Sequence, residues 1–221
     1  MAKVNQTEIV LNIFTIADGD LKILLSRKKG EPYKGYWMLP SRIVGASESL
    51  EDAIKMSTEE TALLPYDSFI SKRQGRVFDA LLRKVDRRVF GVSYNCVIDS
   101  RVVEEKQAEH SLEELDWFSV STLPKLAFDH QNVIDAALDL LKEDILFHRG
   151  LQELFPSDFT LPELQRVYEM ITRKNCDRRN FRKKFIEQGL LEDTGYKTTG
   201  TTGRPAKLYR FTEEIEKLEV L

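Results

Sequence analysis

Cysteine is scarce and scattered in this chain: Cys96 stands in a strand-like stretch and Cys176 in a turn-like one, far apart in the 221 residues. Two isolated thiols read as structural rather than as a disulfide or a metal pair. Histidine is also rare, and His110, His130 and His148 show no metal-ligand spacing, so neither a metal site nor a cofactor is expected. No apolar run approaches the roughly 18 residues that a membrane span requires. The start, Met-Ala-Lys-Val-Asn-Gln, lacks the pattern of a signal peptide, which together with the missing span predicts a cytoplasmic protein. Internal repeats, low-complexity segments and Gly/Ser linkers are absent too. What is present is 42% hydrophobic residues, enough to bury a sizeable core, in a length that suits two domains as well as one.

Acid is missing from one region in particular. From Ile145 onward 14 Lys and Arg stand against 12 Asp and Glu, leaving 19 against 24 for the part before it. Four of those later acids, Glu213, Glu214, Glu216 and Glu219, crowd the end of the chain. Without that tail the second part is distinctly basic, as a nucleic-acid module is, whereas the first part is acidic and unsuited to DNA.

Within the basic part, Asp177 to Lys184 reads Asp-Arg-Arg-Asn-Phe-Arg-Lys-Lys. On a helical period Phe181 and Phe185 share one face, Arg179, Asn180 and Lys183 point roughly the other way, and Arg182 and Lys184 flank them. Asp177 suits the helix start, where a carboxylate accepts amide hydrogen bonds, and Gly189 suits its end. Upstream, Thr160-Leu-Pro-Glu163 is a capping box opening a helix with Leu164, Val167, Tyr168 and Ile171 on one side. Two helices joined by a short turn near Lys174 to Cys176, the second basic on its outer face, predict a helix-turn-helix. A strand, a loop and a strand follow, from Leu190 to Glu192 and from Lys207 to Phe211, and no acid occurs between Thr194 and Thr212. That loop reads as a cationic wing for a phosphate backbone. The candidate DNA-binding residues are Arg178, Arg179, Asn180, Arg182, Lys183 and Lys184 on the helix, with Lys197, Arg204 and Lys207 on the wing. A basic run is more often a solvated face, and an adaptor that binds an acidic protein remains an alternative.

The first part predicts an α+β sandwich. Thr7 to Ile16 and Leu21 to Leu25 flank Asp18-Gly19 as a hairpin, Arg88 to Ile98 reads as a strand, and Ser49 to Glu60 and Asn132 to Glu143 read as helices. The boundary falls near Glu143 to Leu154, giving domains 1–144 and 145–221.

Gly35-Tyr-Trp-Met-Leu-Pro40, Glu48-Ser-Leu-Glu-Asp-Ala53 and Glu59-Glu60-Thr61 resemble the Nudix family. The usual Nudix box has paired glycines after the proline and a helix carrying Arg-Glu-x-x-Glu-Glu, whose carboxylates hold divalent metal. Here Ser41 and Arg42 replace the glycines, Lys55, Met56 and Ser57 stand where Arg-Glu and an apolar residue belong, and the spacing is one residue short. Trp117-Phe118, Leu123 to His130, Phe159 to Glu169, Asp177 to Arg182 and Gly203 to Tyr209 narrow the resemblance to Nudix-related transcriptional regulators of the NrtR group. The resemblance implies a Nudix-like α/β/α sandwich followed by a winged helix. It implies a dimeric bacterial regulator, in the main a repressor, of cofactor (NAD) or sugar metabolism. Its catalytically inactive first domain would sense a small molecule such as ADP-ribose, a related nucleotide or a sugar. Its partner would be double-stranded DNA carrying an inverted repeat with half-sites about one turn, or a multiple, apart.

Relatives that bind ADP-ribose carry an Arg-rich segment that here becomes Phe78-Asp-Ala-Leu-Leu-Arg83-Lys-Val-Asp-Arg87-Arg88. Candidate effector-binding residues are Arg83 and Arg88 as a guanidinium clamp, together with Arg27, Arg42 and Trp37. The competing reading makes the arginines surface residues and Trp37 core. A Nudix hydrolase acting on a nucleoside diphosphate derivative is the alternative function.

Overall fold

A computed structural model describes residues 5–80, 83, 88–99, 101–102, 114–147, 150–155, 158–199 and 205–212. The chain divides into two compact units, Met1–Thr15 with Lys22–Leu138, and Ile16–Leu21 with Asp139–Leu221.

The first unit is built on a seven-stranded mixed sheet. Its strands are β1 (Gln6–Ala17), β2 (Asp20–Arg27), β3 (Trp37–Met38), β4 (Ser41–Ile43), β5 (Phe69–Phe78), β6 (Val89–Ile98) and β7 (Leu115–Ser119). They run in the order β3-β2-β1-β6-β5, with β4 also paired to β1 and β7 to β2. β1 and β2 form the expected hairpin, and Asp18 (φ 56°) and Gly19 (φ 66°) adopt the left-handed conformations that a two-residue turn requires. β1 and β6 are parallel, in register from Gln6↔Val89 to Phe14↔Val97. Eight successive residues of β1 are buried, as in a strand covered on both faces. Ile9, Leu11 and Ile13 join Leu24, Cys96 and Ile98 in a core that includes Ala53 and Ile54 of helix α1 (Leu50–Met56). Burial pushes the Cys96 thiol up to about 12, which leaves it an inert core group. Asn12, fully buried, donates to Asn95 across the parallel pair at 3.1 Å.

Several elements depart from the pattern of the sequence, among them the short strands β3, β4 and β7. α1 stops at Met56, and Ser57–Thr61 form a π-turn in which the Ala62 amide reaches back to the Ser57 carbonyl. The hydroxyls of Thr58 and Thr61 bond the Ile54 and Ser57 carbonyls, competing with the α-helical ladder that was expected to continue to Glu60. β5 is an additional strand: every one of its positions is half-buried or exposed, so it carries no alternating apolar signal. Helix α2 (His130–Phe147) extends the predicted helix at both ends. His130 is fully buried, and its Nδ1 accepts the Leu39 amide at 2.9 Å, fixing the turn after β3.

The second unit contains α3 (Gly150–Leu154), α4 (Leu161–Thr172) and α5 (Arg178–Glu187), with a three-stranded sheet β8 (Phe159–Thr160), β10 (Lys207–Phe211) and β9 (Leu191–Lys197), in that order. Thr160 and Glu163 make the full capping box, with Pro162 in the first turn of α4. Asp177 caps α5 by accepting the Asn180 amide at 2.9 Å, and Gly189, at φ 67°, terminates it. Tyr168 of α4 packs edge-on against Phe181 and Phe185 of α5, at centroid distances of 5.5 and 6.1 Å. Phe185→Ala should cost about 3–5 kcal/mol through the cavity that it leaves. Urea denaturation of the full chain checks this, and a loss below about 1 kcal/mol would show that the α4–α5 contact does not depend on the ring.

Candidate nucleic-acid interface and sensor site

α5 owes its orientation to α4 and to the turn between them. Arg173 leaves α4 in the left-handed conformation (φ 55°), and the turn is then gripped at one residue. Gln165 donates to the Cys176 carbonyl at 2.9 Å, and Glu169 accepts the Cys176 amide at 2.8 Å and the Gln165 amide at 2.9 Å. This latch was not read from the sequence, because an i, i+4 Gln/Glu pair is an ordinary surface pattern. With Phe181 and Phe185 buried inward, Arg178, Arg179, Asn180, Arg182 and Lys183 are exposed and Lys184 is half-buried. Among the described residues the ion-pair partner of Lys183 is Glu187, at a distant 3.9 Å.

On the wing strands Lys197 and Lys207 are exposed and pair in register. Arg204, the remaining wing candidate, lies outside the described residues. Tyr196, 69% exposed on β9, is a flat side chain at the wing that the sequence reading passed over. Lys207 has a counter-ion: its Nζ lies 2.5 Å from Asp193 Oδ2. That hydrogen bond raises the Lys207 pKa and holds the Asp193 carboxyl below the ordinary carboxylate range. The acid just outside the basic loop therefore offsets part of the wing's charge. Asp193→Asn should strengthen binding to any duplex about threefold to fivefold, the scale of an exposed ion pair and one removed negative charge. Fluorescence anisotropy on random DNA measures this, and unchanged affinity would show that Lys207 is not held back by the pair.

In the first unit the candidate effector residues separate into four places. Arg27 and Trp37 pair in register across β2 and β3, with the Arg27 guanidinium carbon 5.9 Å from the Trp37 ring. Trp37 is half-buried and stacks edge-on against Phe118 at 4.7 Å, so it is neither sealed in the core nor free of it. Arg42 sits on β4 between two carboxylates, Nε 3.3 Å from Glu48 and Nη1 3.1 Å from Glu60. The other Glu48 oxygen accepts the Gly45 amide at 2.7 Å. Arg88 lies 3.6 Å from Asp79 and 4.8 Å from the Phe90 ring.

Arg83, a candidate for the guanidinium clamp with a surface arginine as the competing reading, is buried. Its side chain has no exposed area, and its guanidinium faces Glu8 at 3.2 Å and Asp129 at 3.5 Å. The guanidinium lies over Gly91, where a Cβ would stand 1.6 Å from the Arg83 Nη1 and displace it from this position. An arginine and a glycine eight positions apart carry no sequence signal of this contact. Arg83→Ala should therefore destabilise the fold by about 3–5 kcal/mol, the scale for removing one partner of a buried ion pair. Denaturant midpoints check this; a stable variant with weakened ligand affinity would return Arg83 to a binding role.

A sheet sandwich bearing a Nudix-like box, joined in one chain to a winged helix with a basic reading helix, defines the class: a Nudix-related transcriptional regulator. The sequence model of the NrtR DNA-binding winged helix domain matches residues 151–211. The chain is 33% identical over 204 residues to the ADPR responsive transcriptional repressor NtrR of Acinetobacter baylyi, covering 90% of this chain and 79% of that protein. It also matches the crystal structure of Shewanella oneidensis NrtR complexed with a 27mer DNA, at 28% identity and a TM-score of 0.72, over 96% of this chain and 99% of that one. An enzyme is also similar to part of this chain: the ADP-ribose pyrophosphatase of Methanocaldococcus jannaschii, 34% identical over 120 residues, or 54% of this chain and 67% of that one. The chain belongs to the NrtR family of transcriptional regulators, a Nudix domain followed by a DNA-binding winged helix.

Proposed function

We propose that this chain acts in the cytoplasm as a homodimeric repressor that binds an inverted-repeat operator through α5 and its wing, and that ADP-ribose or a related nucleotide or sugar alters that binding from the first unit. The observation that carries the reading is the division of α5 into a buried aromatic face and an exposed face of Arg178, Arg179, Asn180, Arg182 and Lys183. The relatives support its two halves: one was solved with DNA, and another is named for its response to ADPR. Arg27, Trp37, Arg42 and Arg88 remain the effector candidates. A ligand regulates only by binding the two dimer geometries unequally, so operator affinity is the quantity to follow.

The same reading makes the first unit a sensor without hydrolase activity. Glu60, one of the two glutamates left of the metal-holding cluster, already faces the Arg42 guanidinium, which Glu48 also engages. Among the described residues no group of three or more His, Cys, Asp or Glu is arranged to hold a metal ion. A fixed cation at that position opposes a second one, which is why the kinship with a pyrophosphatase does not carry its chemistry over.

The test is selection of bound duplexes from random DNA, followed by titration of the selected operator with ADP-ribose and Mg2+ or Mn2+, assaying the nucleotide afterwards. An inverted repeat should emerge, ADP-ribose should shift operator affinity, and the nucleotide should be recovered intact. Binding without base preference would favour the adaptor reading. Steady turnover abolished by Glu60→Gln would reinstate the hydrolase.

A further inference from the structure

α5 carries two separate basic faces. At about 100° per residue, Arg179 and Lys183 lie together on its outer side with Asn180 beside them, while Arg178 and Arg182 lie together next to the buried Phe181. The second pair lines a cleft of about 360 Å³ whose other walls are the first turn of α4, at Pro162, and the start of β10, at Lys207 and Tyr209. None of Arg179, Asn180 and Lys183 lines it. Phe181 and Tyr209, 1% and 5% exposed, give the cleft an apolar floor, against which charge is screened less than in open water.

Three cations thus meet at one opening. Among the described residues neither Arg178 nor Arg182 has an ion-pair partner, and Lys207 has only Asp193. Like charges gathered over an apolar floor repel one another, and an entering anion relieves that repulsion. The Lys207 pKa registers both influences: Asp193 raises it, and the neighbouring Arg182 lowers it.

We infer that this cleft is a seat for a DNA backbone phosphate, built by Arg178 and Arg182 of α5 with Lys207 of the wing. The guanidinium forks match phosphate oxygens, and a contact of this kind fixes register on the duplex without reading sequence. Arg178 and Arg182 then supply affinity, and Arg179, Asn180 and Lys183 supply base discrimination. The cleft's ligand is a phosphodiester of duplex DNA rather than a free anion. The inference rests on the DNA-binding reading above.

Anisotropy titrations of the full-length protein on the selected operator and on a random duplex, from 50 to 300 mM salt, separate the two roles. Arg178→Ala and Arg182→Ala should each weaken both duplexes alike, about tenfold, and lower the salt slope by about one unit. The ratio of specific to random affinity should stay unchanged. Arg179→Ala and Asn180→Ala should lower that ratio instead. Neutral methylphosphonates placed one at a time around a half-site should weaken the wild type at each contacted phosphate, and at one of these per half-site the Arg178→Ala/Arg182→Ala protein should lose nothing further. A fall in the ratio with Arg182→Ala, or undiminished methylphosphonate sensitivity in the double variant, overturns the assignment. Inorganic phosphate competing no better than chloride at equal ionic strength is expected; selective competition would make the cleft a free-anion site. Failure of the wild type to bind any duplex would defeat the DNA-binding reading itself, which sets that outcome apart from failure of the cleft alone.

Discussion

The packing of Tyr168 against Phe181 and Phe185 is the contact on which the reading head depends. α5 is a short helix with a strongly polar surface, and helices of that length are marginal in water unless a face is buried. The two phenylalanines provide that face, and the same burial turns the basic residues outward. Orientation about the helix axis follows from the rings, and the path of the entering chain from the grip of Gln165 and Glu169 on Cys176. Exposed side chains on such a support present a fixed pattern of donors, which recognition of base edges requires.

Charge is managed differently in the two units. In the first, the arginines with the strongest resemblance to a ligand clamp face carboxylates: Arg42 between Glu48 and Glu60, Arg88 beside Asp79, and Arg83 buried against Glu8 and Asp129. Any anion approaching Arg42 or Arg88 meets a guanidinium already partly neutralised. In the second unit Lys207 faces Asp193, and Arg210 on the same strand faces Asp158 and Glu192, whereas among the described residues Arg178 and Arg182 have no such partner. The reading helix thus keeps exposed cations whose positive field is open to an approaching anion.

Much of this organisation follows from the sequence alone, because it is local. The capping box at Thr160 and Glu163, the Asp177 cap, the Gly189 stop and the Asp18-Gly19 turn each rest on side chains and backbone within a few residues, and all occur where the pattern placed them. The spacing of Phe181 and Phe185 decided which face of α5 is buried, since helical period is a property of the segment itself. The π-turn at Ser57–Thr61 was not legible, because hydroxyl competition with the helix ladder depends on rotamers that only the packed structure selects.

Tertiary structure decided what distant residues do to one another. It placed Arg83 beside Glu8 and Asp129 over a glycine, Arg42 between two glutamates, and Lys207 against Asp193. It also joined Arg178 and Arg182 to the wing across a cleft, although both belong to the same basic run as Arg179 and Lys183. Sequence fixes which residues carry charge and which side of a helix they occupy; whether a charge meets a carboxylate, a neighbouring cation or open water depends on the chain segments that folding brings opposite it. That opposition determines how strongly the charge is screened and what it remains able to bind.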